Sequence, residues 1–344
     1  MILVAGEALI DLLPVPGGQH RFDARPGGAP FNVAVGLARL GQRTSFLGRV
    51  SADTFGQLLR QDLADAGVDL SMVVPAPETT TLGVAALDAD GKAAYTFYAN
   101  GTADWQWAEP EVPQELPADT RALYVGGLAL RLLPGAAVLE ELMRRARRQG
   151  NVLVFFDPNV RGGFDFTTAA ERTRVERQLQ LAHVVKASED DIALLYPGRD
   201  WREIAAAWQE MTSGLIVVTL GANGAYARSA GGMETTVPAV PTDLVDTVGA
   251  GDAFAAALLD GLVSAMPFDS GPAGLQRIPV DVTQRLLERA CASAAFTCGR
   301  AGAGSADARA LEDMLRRVPE LRPAEAAHPQ LPGGSPRSGA SSDG

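Results

Sequence analysis

The stretch "VDTVGAGDAFAAALLDGL", residues 245–262, decides how the chain reads. Strand-like residues before Asp246 and helical apolar spacing after Phe254 put Gly-Ala-Gly-Asp at a strand-to-helix junction. There the N–H groups of Gly249, Ala250 and Gly251 open a helix, where the macrodipole and unsatisfied donors favour an anion. Missing side chains let a large ligand approach the backbone. A carboxylate binds anions poorly, so Asp252 reads as a proton acceptor beside them. Together these parts suit phosphoryl transfer, with amides holding the moving group while an acid deprotonates an attacking hydroxyl. Taken alone, the same residues also fit a tight turn with Asp252 as an N-cap worth about 1 kcal/mol.

The neighbouring segments carry the argument outward. "RPGGAPFNVAVGLARLG" (25–41) sets Gly27 and Gly28 just ahead of a helix bearing Asn32, and "GEALID" (6–11) closes the first strand, begun at "ILVAG", with Asp11. Ligands of open parallel sheets bind outside the carboxyl ends of the strands, where Asp11 is expected. An acid and an amide near glycines supply the paired acceptors and donors that vicinal hydroxyls need. "TSFLGRV" (44–50) reads as the next strand and "DTFGQLLRQDLADAG" (53–67) as the next helix, a βαβ rhythm that resumes from residue 121. Two stretches break it. Residues 12–30 are rich in Pro and Gly, and 79–100 read as two strands around a D-G turn, together a small separate sheet and a lid. The arginines of "MRRARRQG" read as a solvated helix face. "HPQLPGGSPRSGASSDG" (328–344) reads as a disordered polar tail behind one domain over 1–327.

Composition narrows the function. The 344 residues carry a net charge of −11, which argues against nucleic-acid and anionic-membrane partners. A phosphate must therefore be held by local devices. Cys291 and Cys298 make no C-x-x-C pair and the three histidines do not cluster in sequence, so neither a zinc site nor a disulfide framework is expected. The N-terminal run lacks a basic n-region and meets Glu7, a strand and not a signal peptide, and no apolar run reaches spanning length; the expected location is cytoplasmic. There is no G-x-x-x-x-G-K-[ST] phosphate loop, and no G-x-G-x-x-G follows the first strand.

With "GGAPFN" at 27–32 and "DTVGAGDAF" at 246–254 both in place, the chain resembles the phosphofructokinase-B/ribokinase family of sugar kinases, its fructokinase-like branch, over roughly residues 1–310. The resemblance implies a ribokinase-like three-layer α/β fold, a doubly wound, mostly parallel sheet with a small β lid from about 12–30 and 79–104. It implies ATP and Mg²⁺ as partners of the sugar. Asp252 matches the family's catalytic base, and Gly249, Ala250 and Gly251 its anion hole. Asp11, Gly27, Gly28 and Asn32 match sugar-binding positions, with Tyr98, Asn100 and Trp105 on the lid side. "DPNVR" (157–161) resembles a fructokinase segment in which Asn159 and Arg161 face phosphate or sugar. In "KASEDD" (186–191), Glu189 fits a glutamate that supports Mg²⁺ through water, with Ser188 beside it, and Lys186 replaces an asparagine. "TLGANG" (219–224) resembles the loop beneath the nucleotide, giving Thr219, Gly221 and Gly224. Asp246 and the Val248 carbonyl, with Gly302 and Ser305 of "GRAGAGSA" (299–306), match a monovalent-cation loop, K⁺.

The expected reaction is phosphorylation of a sugar hydroxyl, first of fructose to fructose 6-phosphate. Alternatives are 2-keto-3-deoxygluconate, ribose or a nucleoside. Ala99 stands where related lids carry an arginine, which weakens a carboxylate-bearing substrate. A non-catalytic sugar- or nucleotide-binding regulator on the same scaffold is the rival of another class. Open lid edges suggest a homodimer.

Overall fold

The computed structural model describes residues 1–15, 20–87, 93–160, 168–265 and 268–321. In chain order the elements are β1 (Ile2–Ala5), β2 (Leu9–Pro14), β3 (Phe22–Gly27), α1 (Ala29–Arg39), β4 (Thr44–Leu47), β5 (Arg49–Ser51), α2 (Thr54–Asp65), β6 (Val74–Ala76), β7 (Leu82–Leu87) and β8 (Ala93–Tyr98). Next come β9 (Ala122–Gly126), α3 (Gly135–Gln149), β10 (Leu153–Asp157), α4 (Thr168–Leu179), β11 (Val184–Ser188), α5 (Glu189–Leu195), α6 (Trp201–Gln209) and β12 (Leu215–Thr219). The chain continues through β13 (Ala225–Ser229), β14 (Glu234–Val237), α7 (Ala250–Ala265), α8 (Val280–Cys298) and α9 (Ala308–Leu321).

The main sheet has eight strands in the order β14-β13-β12-β11-β10-β9-β1-β4. It is parallel from β4 to β12, and β13 and β14 add antiparallel to its edge. Its central strands are buried almost throughout, and apolar but for Asp157, Lys186, Ser188 and Thr219 near their carboxyl ends, because helices cover both faces. Alternation along β1 sends Ile2 and Val4 into a core shared with α1, α7 and α8, and Leu3 and Ala5 into one shared with α3 and α6. Three layers result, the ribokinase-like α/β fold.

A second sheet of four strands, β3-β2-β7-β8, matches the lid stretches in place. The D-G turn at 90–91 and the tail lie outside the described residues. One expectation is corrected here. "ILVAGEALID" is not a single strand: β1 stops at Ala5, Gly6 turns with φ +151°, and Leu9–Pro14 joins the second sheet. Asp11 therefore sits on the lid sheet and not at the carboxyl end of β1. "TSFLGRV" likewise splits at Gly48, where a side chain would strike the Phe46 ring, and β5 leaves to pair with β6.

A hydrogen-bonded chain roots the lid. Asp104 meets Thr81 Oγ1 at 2.5 Å, Thr81 Oγ1 meets Thr102 Oγ1 at 2.6 Å, and Thr102 Oγ1 donates to the Ala99 carbonyl at 3.0 Å. Asp104 also accepts the Ala8 N–H at 2.9 Å. Trp105 is fully buried among core residues, so it packs beneath the lid. The arginine run is only partly a solvated face. Arg145 is buried, donating to the Pro113 carbonyl and to Glu109, because its helix face turns onto the segment that precedes β9.

Candidate active site

The start of α7 comes up against Lys186 of β11, which pairs with Asp157 at the carboxyl end of β10. Gly249 turns with φ +76°, and a Cβ there would run into Ala303, so only glycine fits the approach to α7. Ala250 donates its N–H to the Thr247 carbonyl at 3.2 Å, which removes one of the three expected amides from the anion site. The N–H groups of Gly249 and Gly251 have no protein acceptor among the described residues, and Gly251 is exposed. One residue on, Asp252 is buried, and its Oδ2 accepts from Asn32 Nδ2 at 2.8 Å. Asn32 is placed by α1, whose first turn is set by Gly28 (φ +101°) and Pro30.

Lys186 supplies the positive charge. Its Nζ lies 3.2 Å from where a Cβ on Gly251 would stand and 2.9 Å from Asp157 Oδ2. Lys186 and Asp157 are both buried. Burial, the largest influence, works against the ammonium, but Asp157, Asp191 and Asp252 outweigh it and hold Lys186 above its ordinary range. Burial pushes Asp157 up to about 6 despite its lysine, with Asp191 and Asp252 adding to the rise. Asp191 accepts from the Ser188 hydroxyl and N–H, each at 2.7 Å, and from the Val160 N–H at 2.8 Å. Ser188 thus caps α5 while Asp191 holds the residue after "DPN". Asn159 adopts φ +39°, and its N–H donates to Asp157 Oδ1 at 3.1 Å. Arg161 lies outside the described residues.

The expected nucleotide side is brought together by sheet register. Ser188 pairs with Thr219 across β11 and β12. Glu189 follows at the head of α5, 4.0 Å from the Cβ direction of Gly221, and makes no hydrogen bond or ion pair among the described residues. Gly221 (φ +52°) and Gly224 (φ +93°) close the turn after β12. On the sugar side, the Asp11 carboxylate spans Gly27 and Gly83, lying where side chains on either glycine would stand. Tyr98 is 61% exposed at the lid edge, and Asn100 is exposed beside it. Asp246 accepts from the Val248 N–H at 3.0 Å and the Gly302 N–H at 2.8 Å, tying the two halves of the expected cation loop. Ser305 Oγ is buried there without a hydrogen-bond partner.

Sequence reasoning missed the Asp157–Lys186–Asp191 cluster as a unit and gave Glu7 no role. Glu7 is buried, and its two oxygens accept the N–H groups of Leu128 and Ala129 at 3.1 and 3.0 Å. Burial and nearby Asp104 push it up to about 8, against those amides. An acid inside an apolar strand-to-strand turn was the available signal.

The arrangement places donors, a cation and a buried carboxylate around one point, as alcohol phosphorylation needs. Comparison with known proteins agrees. Residues 1–310 match the pfkB family carbohydrate kinases. Fructokinase of Klebsiella pneumoniae is 38% identical over 267 residues, 76% of this chain and 84% of that one. Fructokinase of Vibrio cholerae O395, solved with fructose, ADP and calcium ion, superposes with TM-score 0.78 at 30% identity, covering 93% of this chain and 98% of that one. A double mutant of the same protein is known with potassium ion. Aminoimidazole riboside kinase of Salmonella enterica, solved with its riboside and an ATP analogue, gives TM-score 0.78 at 28% identity, covering 91% and 99%. With its double-glycine helix start, its Gly-Ala-Gly-Asp junction and this fold, the chain belongs to the pfkB family of carbohydrate kinases.

Proposed function

We propose that this kinase transfers the γ-phosphoryl group of ATP to a hydroxyl of fructose, forming fructose 6-phosphate. The observation that carries the reading is Asp252, buried and held by Asn32, one residue beyond the exposed Gly251 amide with Lys186 alongside. In this reading the sugar sits between Asp11, Gly27, Gly28 and Asn32, and the nucleotide lies along Ser188, Glu189, Thr219, Gly221 and Gly224. Asp252 takes the proton of the attacking hydroxyl. The Gly249 and Gly251 amides and the Lys186 ammonium meet charge on the transferring group. The sheet β3-β2-β7-β8 closes over the sugar to keep water, a competing nucleophile, from the phosphoryl group.

Among the described residues no group of three or more His, Cys, Asp or Glu could hold a metal. Mg²⁺ thus fits as an ion carried by the nucleotide, with the unpaired Glu189 carboxylate behind its water. Bound so, it neutralises charge on the phosphates. Both Asp246 oxygens are taken by backbone N–H groups, so K⁺ fits on the loop carbonyls near Val248 and the unpartnered Ser305 hydroxyl. We place the enzyme in the cytoplasm as one domain over 1–327; no described helix is long and apolar enough to cross a membrane. β3 and β8 each pair on one side only among the described residues, which supports a homodimer through the lid.

Likeness to aminoimidazole riboside kinase keeps a nucleoside-like acceptor as the second reading. A coupled ADP-release assay across fructose, aminoimidazole riboside, ribose, adenosine and 2-keto-3-deoxygluconate, with and without K⁺, decides. Fructose is expected to give the highest kcat/KM. Equal, negligible turnover on every acceptor would point to the non-catalytic regulator. Asp252→Asn should fold normally and lose about 10²–10⁴-fold in kcat; near-normal turnover would remove the base assignment.

A further inference from the structure

Residues 6–8, the turn that leaves β1 for β2, are tied to three parts of the molecule. The Gly6 N–H donates to the Leu47 carbonyl of β4 at 3.2 Å. The Glu7 carboxylate takes the Leu128 and Ala129 N–H groups of the turn that follows β9. The Ala8 N–H donates to Asp104 at the lid root. On its remaining side the turn presses on the start of α1. A Cβ at Gly28 would stand 2.9 Å from the Glu7 carbonyl oxygen and 3.2 Å from Glu7 Cγ, and one at Gly6 would strike the Pro30 ring.

Glu7 is the costly member of this turn. It is 2% exposed and makes no ion pair among the described residues. Burying an acid without a cation is unfavourable, so packing alone does not select it over an apolar residue of similar size. What the acid supplies is a pair of acceptors, one oxygen for each of two aimed amides. That grip also fixes the Cγ that lies against Gly28. From Gly28 the contacts run on to the base. Its carbonyl takes the Asn32 N–H at 2.9 Å, and Asn32 Nδ2 donates to Asp252 Oδ2 at 2.8 Å.

From this series of contacts we infer that Glu7 is a positioning residue for phosphoryl transfer, held by the β9 turn so that it sets Gly28 and, through Gly28, the Asn32 amide that orients Asp252. The inference rests on Asp252 as the base and gives Glu7 no contact with sugar or nucleotide. Glutamine in its place keeps the shape but offers one acceptor to two N–H groups. Its own –NH₂ then faces the second N–H, and the side chain leaves its seat against Gly28.

Steady-state kinetics of the full chain with ATP and fructose tests the role, in a cycle of Glu7→Gln, Asn32→Ala and the double variant, with Asp252→Asn alongside. Glu7→Gln should lower kcat about threefold to tenfold and raise KM for fructose, with KM for ATP unchanged. Because the two residues act in series, the double variant should turn over no more slowly than Asn32→Ala alone. A Glu7 that served folding only would multiply its loss into the double variant. Multiplicative losses therefore overturn the proposal, as does wild-type kcat in Glu7→Gln. Gly127→Ala reaches the same carboxylate from the other side, since a methyl group there would meet Glu7 Oε1. It should lower kcat in the same way and again add nothing to Asn32→Ala; full turnover in it would also count as refutation. Near-normal kcat in Asp252→Asn would remove the base and this inference with it. A slow Asp252→Asn beside an unimpaired Glu7→Gln would remove the role of Glu7 alone.

Discussion

Lys186→Met separates the contribution of the buried ion pair to folding from its contribution to turnover. The variant leaves Asp157 without solvent or a cation, held by the Asn159 N–H on Oδ1 and next to Asp191 and Asp252. Removing one member of a buried pair costs about 3–5 kcal/mol, and that loss is expected at pH 7. The folded pKa of Asp157, already about 6 with its lysine, must rise further without it. A carboxyl raised above its unfolded value of about 3.9 keeps a proton in the folded state, so stability falls as pH climbs from there through the folded pKa. Inside that window the slope is ~1.36 kcal/mol per unit, and wild-type Asp157, at about 6, already loses one unit's worth between pH 5 and 7, so the defect at pH 5 should be smaller than at pH 7 by up to about 1.4 kcal/mol. Adding Asp157→Asn should recover most of the stability and none of the turnover, which stays down by about 10²–10³-fold for want of a cation beside Gly251. Urea denaturation at the two pH values, with kcat of all three proteins, reads both effects. A Lys186→Met defect that is flat with pH, or a double variant with restored kcat, would refute the reasoning.

Three further outcomes follow from single contacts. Asn32→Ala deletes the hydrogen bond to Asp252 and should lower kcat about tenfold or more at unchanged thermal midpoint, measured by steady-state kinetics beside calorimetry. Gly27→Ala puts a methyl group where Asp11 Oδ2 stands, so KM for the sugar should rise while KM for ATP holds; equal rises in both would count against Asp11 as a sugar ligand. The chain through Asp104, Thr81, Thr102 and the Ala99 carbonyl has three links but only two hydroxyl hydrogens, so a proton on Asp104 would complete it. Burial agrees, pushing Asp104 up to about 7. Its contribution is whole below an unfolded value of about 3.9 and is lost as pH rises through 7, so wild type should lose on the order of 2–3 kcal/mol between pH 5 and 8 relative to Asp104→Asn. Parallel denaturation curves for the two proteins over that range would contradict the proton count.

The helix start at Gly-Ala-Gly-Asp was legible because glycine punctuation and an apolar helix lie next to each other in the chain, but the strand expected before Asp246 is irregular chain between Val237 and α7. The order of strands and helices followed from period and turn residues in the same local way. Asp11 was placed on the wrong sheet because only Gly6 and Glu7 interrupt the apolar run, and strand-like residues continue on both sides of them. The Ala250 amide was over-counted because the carbonyl that takes it belongs to a loop whose path the sequence does not specify. Lys186 and Asp157 are twenty-nine positions apart. They meet because β10 and β11 pair in parallel, and that register is set by packing over the whole sheet.

Asp11 stands on the lid sheet and Asp252 on α7, and the short Gly27–Asn32 span that ends β3 and opens α1 joins them. Any swing of the outer sheet is therefore delivered, through one turn of helix, to the amide that steadies the base. Loop-stiffening or loop-lengthening changes at 28–31 should therefore alter the preference for the alcohol over solvent without touching a reacting atom.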